Sequence, residues 1–191
     1  MKSDWQKAIK ILKKDGVVVM PTDTLYGLIG RAESKKVMER IYKIKGRSEN
    51  KPFIMLINSY KDLGLFGVKV DGEQAKFLQK IWPEKVSIIL PCKLAKWKYI
   101  HRGTESIAFR MISKKNKNLF DLINKVGPLV APSVNKEGEK PAESIKEAKA
   151  YFGNQVDFYL SGGILKSEPS TLIRVKNGKI EVLRQGKVFL V

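Results

Sequence analysis

The sequence of 191 residues holds one cysteine, Cys92, and one histidine, His101. A lone cysteine excludes an intrachain disulfide framework and leaves no basis for a zinc knuckle. A lone histidine, set in a basic stretch with no nucleophile-elbow sequence, argues against a Ser-His-Asp apparatus and gives no His pair for a metal. Neither GxxxxGK[ST] nor GxGxxG occurs. No apolar run approaches the ~18 residues of a membrane span, so no membrane segment is expected. The opening MKSDWQKAIKILKKDG is broken by Lys and Asp and has no small-residue cleavage site. It fits an amphipathic helix, not a signal peptide, and a cytoplasmic protein is expected. Acids are scarce: 37 Lys and Arg face 19 Asp and Glu, a formal charge of +18. Such a charge attracts polyanions such as ATP or RNA. A lysine-rich background composition would give the same number with no partner, so the bulk charge leaves both readings open. The seven arginines are more informative, because several fall in the motifs below.

An apolar content of 43% and this length fit one folded domain over residues 1–191. The spacing of Trp5, Ala8, Ile9 and Leu12 predicts a helix capped by Asp4 and ended at Asp15-Gly16. Val17 to Met20 predicts a buried strand, and Tyr26 to Gly30 a second strand or a turn. Ser34 caps a helix with Val37, Met38, Ile41 and Tyr42 on its apolar face. Phe53 to Ile57 is the next strand, followed by a helical turn over Ser59 to Leu63. Asp71 caps a helix that Pro83 stops. Val86 to Leu90 and Ser106 to Ile112 are strands, separated by an irregular basic stretch over 92–104. A helix over Asn118 to Val126, a short strand at Leu129-Val130-Ala131, a helix over Ser144 to Phe152 and a strand over Val156 to Leu160 follow. The tail predicts a hairpin, Leu172 to Val175 and Lys179 to Leu183, turning at Asn177-Gly178, then a strand over Lys187 to Leu190. Strands alternate with helices and hairpins intrude, which predicts a mixed sheet with helices packed on it.

Polar residues gather just past strand ends. Thr22, Asp23, Thr24 and Tyr26 follow the first strand, and Ser133 and Asn135 follow the strand at 129–131. Lys45 and Arg47 close a helix; Ser87, Arg110, Ser170, Thr171 and Arg184 sit in or beside later strands. Four of these are cations, and none pairs with a carboxylate cluster nearby in sequence. An arginine inside an apolar strand needs an anion partner. This cation-and-hydroxyl set suits phosphate plus a small polar molecule, with charge stabilisation and positioning supplying the catalysis.

PTDTLYGL, the KGR helix end with PF soon after, WPEKVSIILP, IAFR, GPLVAPSVN, SGG, EPST and VLRQG stand in the order found in the YrdC/Sua5 family. The chain resembles that family over roughly residues 6 to 187, and looks like its short TsaC type, without the C-terminal domain of Sua5 proteins. The resemblance implies a YrdC-like α/β fold: a twisted mixed sheet with flanking helices around a large basic cavity. It also implies an L-threonylcarbamoyl-AMP synthase, a nucleotidyltransferase that joins L-threonine, bicarbonate or CO2, and ATP, releases pyrophosphate with Mg2+, and supplies tRNA threonylcarbamoyladenosine modification. Downstream partners would be threonylcarbamoyl-transfer proteins of the TsaD-type complex, with tRNA contact left open. By position in the family's motifs, Thr24, Tyr26, Arg110 and Ser170 would meet threonine or its carbamate. Lys45 and Arg47 would be the catalytic cations on the ATP phosphates, and Ser87, Ser133, Asn135 and Arg184 would complete the nucleotide site. No protein metal ligand is expected.

The chain departs from the family's usual WPGPLT, TSAN and DGG at Glu84, at Pro132 and Val134, and at Ser161. A YciO-like paralogue with another substrate therefore stays open, as does a non-catalytic RNA-binding role. A pure RNA binder, however, uses exposed basic and aromatic residues on one face, not an arginine within an apolar strand. A carbamoyl-handling domain like that of hydrogenase-maturation proteins is a third reading.

Overall fold

The computed structural model describes residues 2–48, 51–176 and 179–190. Among them nine strands form one sheet in the order β7-β1-β2-β6-β3-β5-β4-β8-β9. The strands are β1 (Val18–Pro21), β2 (Tyr26–Arg31), β3 (Ile54–Ile57), β4 (Val86–Pro91), β5 (Ser106–Met111), β6 (Leu129–Val130), β7 (Phe158–Tyr159), β8 (Thr171–Lys176) and β9 (Lys179–Arg184). The helices are α1 (Lys2–Lys13), α2 (Lys35–Lys45), α3 (Tyr60–Leu65), α4 (Gly72–Ile81), α5 (Lys98–His101), α6 (Lys117–Val126) and α7 (Ile145–Phe152). The sheet is mixed, as expected. β1 pairs antiparallel with β2 but parallel with β7, and β4 pairs antiparallel with β5 but parallel with β8.

Strand alternation divides the core in two. Val18 and Met20 join Ile29, Leu56, Ile112 and Leu129 under α1 and α6, which contribute Ala8, Leu12, Leu119, Leu122 and Ile123. Val17, Val19, Phe109 and Ile88 face the other way, against the stripe of α2 and the aromatic residues Phe66 and Trp97. The functional consequence lies on the first of these faces. Antiparallel and parallel registers set Ile54, Ala108 and Ile89 side by side, with Arg110, Ser87 and Leu172 in the next row. The helices α1 and α6 cover the β1-β2-β6-β3 part of this face, and the β5-β4-β8 part is left to form a cavity wall.

Several ends are set by the expected chemistry. The Ser34 side chain accepts from the Val37 N–H and Asp71 from the Gln74 N–H. Gly46 closes α2 at φ 59°, a left-handed conformation that glycine adopts at little cost. Elsewhere the structure differs. Asp4 lies within the first turn of α1, which already begins at Lys2, so it is not the cap. The stretch over 92–104 is not irregular: a 3-10 turn at Ala95–Trp97 leads into α5, because Trp97 and Ile100 are buried and the Trp97 indole donates to the Leu65 carbonyl. Residues 187–190 form no strand. The Val188 N–H goes to the Thr171 hydroxyl and the Lys187 N–H to the Pro169 carbonyl, so side-chain and loop acceptors replace a ladder. The strand expected over 156–160 is confined to Phe158 and Tyr159. The predicted turn at Asn177-Gly178 lies outside the described residues.

Candidate active site

The loop after β1 folds on its own hydroxyls. Thr22 Oγ1 donates to the Leu25 carbonyl at 2.7 Å and accepts from the Thr24 N–H at 3.2 Å. This turns Thr24 inward, where it is buried yet lines a cavity of about 500 Å³. The Tyr26 hydroxyl donates to the Gly163 carbonyl and accepts from the Gly162 N–H, both at 2.8 Å. Tyr26 thereby ties β2 to the Ser161-Gly162-Gly163 turn.

Arg110 stands on β5 with its guanidinium almost wholly enclosed. Its Nη2 donates to Asp23 Oδ1 at 2.8 Å, and its Nη1 donates to Ser170 Oγ at 3.2 Å. The anion partner that an arginine inside an apolar strand needs is Asp23, which is not nearby in sequence. Asp23 is 87 residues away in sequence, and only the sheet brings the two together. Buried Arg110 Nε has no hydrogen-bond partner. Ser170 is shared: Ser87 Oγ lies 2.8 Å from its hydroxyl, and Arg184 donates to its carbonyl from Nε at 3.2 Å and Nη2 at 2.9 Å. Arg184 as a residue is exposed, but its guanidinium packs into the cavity wall. That partial burial, with Arg110 and Arg47 nearby, holds its pKa below the ordinary arginine value.

The loop after β6 crosses beside β2. The Leu28 N–H donates to the Pro132 carbonyl and the Val134 N–H to the Tyr26 carbonyl. Lys45 pins this loop from behind. Its ammonium donates to Ser133 O at 2.6 Å and to Asn135 O and Oδ1, both at 2.8 Å. Ser133 Oγ adds a 2.7 Å bond to Asn135 Oδ1. Burial first, and then the adjacent Arg47, lowers the Lys45 pKa from 10.5 to about 7, with Glu137 pulling it upward. Arg47 stands past the left-handed turn at Gly46. Its Nε donates to the Lys51 carbonyl, and its guanidinium lies 5.2 Å from the Phe53 ring centre.

Seven of the predicted site residues line the one cavity: Thr24, Tyr26, Arg47, Arg110, Ser133, Ser170 and Arg184. Lys45, Ser87 and Asn135 stand one layer behind, bonded to those that do. The position of Lys45 has a sequence signal. It is four residues after Ile41 and so lies on the buried stripe of α2. The sequence reading missed Lys51, Thr104 and Ser106, which also line the cavity. Ser106 was within reach of strand alternation, being four residues before Arg110 on the same face. Among the described residues Asp23 is the one carboxylate paired with any of the three guanidiniums, so the cavity carries an excess of positive charge. No group of three or more His, Cys, Asp or Glu among them could hold a metal ion.

Known proteins share this fold. The Sua5/YciO/YrdC family, described as "Telomere recombination", matches residues 10–186. A threonylcarbamoyl-AMP synthase of Pseudoalteromonas translucida is 28% identical over 179 residues, 91% of this chain and 94% of that protein. The structure of Pyrococcus abyssi Sua5 in complex with L-threonine superposes with a TM-score of 0.87 at 25% identity, over 97% of this chain. This chain spans 55% of that Sua5 chain. E. coli YciO superposes with a TM-score of 0.84 at 25% identity, over 97% of this chain and 90% of its own. The twisted mixed sheet, its flanking helices and the match over residues 10–186 together place this chain in the Sua5/YciO/YrdC family.

Proposed function

We propose that the chain is a threonylcarbamoyl-AMP synthase, a nucleotidyltransferase that uses L-threonine, bicarbonate or CO2, and ATP. The observation that carries this reading is the convergence of Arg47, Arg110 and Arg184 on one cavity, with Asp23 as the one carboxylate paired with them among the described residues. A triphosphate and a carboxylate are the anions such a set takes up. The names of the relatives and the threonine-bound Sua5 structure support the choice of substrates.

Arg110 receives the threonine carboxylate, exchanging its Ser170 contact for the ligand while Asp23 keeps the guanidinium in place. Thr24 and Ser170 offer hydroxyls beside it, and Ser87 orients Ser170. Tyr26 holds the wall at the Gly162-Gly163 turn, next to threonine. Arg47 and the Ser133 hydroxyl meet the phosphates. Lys45 and Asn135 act from behind, Lys45 as a positioning residue whose charge also reaches the cavity. Arg184 meets the nucleotide near the reacting phosphorus. The neutral threonine amine attacks the carbon of CO2 and releases a proton to water. The carbamate oxygen then attacks the α-phosphorus, the bond to the bridging oxygen breaks, and pyrophosphate leaves. The guanidiniums stabilise charge that grows on the α-phosphate and on the departing pyrophosphate. No enzyme nucleophile is needed, in keeping with a lining without Cys or His. Mg2+ would enter with the triphosphate, where it would supply charge neutralisation. The product serves a threonylcarbamoyl-transfer complex of TsaD type acting on tRNA, in the cytoplasm.

Pyrophosphate release from ATP, measured with bicarbonate and Mg2+, tests this reading. Release that requires L-threonine and is slower with L-serine is the expected result. ATP binding without threonine-dependent release would point to another substrate, as in a YciO-like paralogue.

A further inference from the structure

Lys51 is a cavity cation that this mechanism leaves unused. It lines the mouth beside Arg47. Its backbone is fixed, because its carbonyl accepts from Arg47 Nε and from the Tyr42 hydroxyl, both at 3.1 Å. Among the described residues its side chain is held by Glu137, whose Oε1 accepts from Lys51 Nζ at 2.6 Å. The other Glu137 oxygen accepts from the Ser48 N–H at 3.0 Å. A carboxylate taking an ammonium and a backbone N–H side by side fills the donor set that a phosphate oxygen pair takes. The pair is also readily exchanged. The Lys51 and Glu137 side chains are 59% and 31% exposed, and ion pairs this solvated hold weakly.

We propose that Glu137 is a built-in competitor for the nucleotide. On the nucleotide reading given above, an entering triphosphate takes over Lys51 Nζ and the Ser48 N–H, and Glu137 swings away. Lys51 becomes a further phosphate-binding cation, and Glu137 sets how tightly ATP is held and how readily pyrophosphate leaves. A purely structural Glu137 would have the opposite effect. As a clasp between the segment after α2 and the loop carrying Ser133 and Asn135, its loss would loosen the site.

The sign of one substitution separates the two. Glu137→Gln keeps the shape and an acceptor oxygen but removes the competing charge. Calorimetric titration of the chain with ATP and Mg2+ should show affinity rising about two- to five-fold in Glu137→Gln and falling about two- to five-fold in Lys51→Met. In the double variant the gain from Glu137→Gln should vanish, and L-threonine affinity should stay level in all three. Unchanged or weaker ATP binding in Glu137→Gln, with its melting temperature intact, overturns the proposal, as does unchanged binding in Lys51→Met. ATP that fails to bind the unaltered chain would instead sink the nucleotide reading, and this inference with it.

Discussion

Lys45 donates to three oxygens, and only an ammonium has three N–H bonds to give. With its pKa at about 7, it loses a proton, one of those bonds and its positive charge within the range in which an enzyme works. ATP affinity should therefore fall as pH rises from about 6 to 8. Titrations of Lys45→Met across that range should be flat in their Lys45-dependent part; an unaltered slope would remove Lys45 from the account. Its effect on stability has the opposite sign. Between about 7 and 10.5 the unfolded chain binds the proton that the folded chain has lost, so this group's contribution to stability rises with pH across that window. Arg110 gives a second prediction at this scale. Arg110→Lys keeps the charge and loses the fork, so the L-threonine Kd should rise about ten-fold, ~1.4 kcal/mol, with ATP binding little changed. Equal loss for both ligands would contradict a threonine-specific clamp.

At the scale of elements, the site is a set of strand ends and of the turns that cross-brace them. The Tyr26 hydroxyl joins β2 to the Gly162-Gly163 turn through two bonds of 2.8 Å. Tyr26→Phe should lower stability by about 1–3 kcal/mol, read as a drop in thermal midpoint, because it removes both hydrogen bonds by which buried Tyr26 holds the exposed Gly162-Gly163 turn. The tail after β9 is pinned more tightly. A Cβ at Gly186 would lie 2.3 Å from the Pro169 carbonyl oxygen and 2.6 Å from the Ser170 carbonyl carbon. Gly186→Ala should displace Ser170 and weaken both ligands; binding at the original affinity would show that the tail does not support the site. Much of this level was legible in the sequence. Short β-branched runs ended by Pro and hydroxyl residues gave β1 and its loop, and the caps Ser34 and Asp71 marked their helices. What escaped were contacts without a local pattern. Asp23 meets Arg110 only through strand order, and the Thr171 hydroxyl takes over the Val188 backbone that a strand would have used.

For the whole molecule, the net charge of +18 and the arginine-lined cavity act over different distances. On the proposed reading the surface lysines would steer anions in and be screened by salt, and the enclosed guanidiniums would hold what arrives. The ATP association rate should fall several-fold as salt rises from about 0.01 to 1 M and the Debye length shrinks from ~30 to ~3 Å. Stopped-flow binding should place most of the salt effect on association and little on dissociation. Arg110, which has 5% of its side chain exposed, should feel salt least. Composition alone left this charge ambiguous; the structure sets three of its arginines around the cavity on the sheet face left open beside α1 and α6. The central claim is that this face joins threonine, CO2 and the adenylate of ATP. Incorporation of labelled bicarbonate into an adenylate-linked product tests it most directly. The account predicts label that appears only with L-threonine and ATP together and is lost in Arg110→Ala. Label that appears without threonine, or none while both substrates bind, would contradict it.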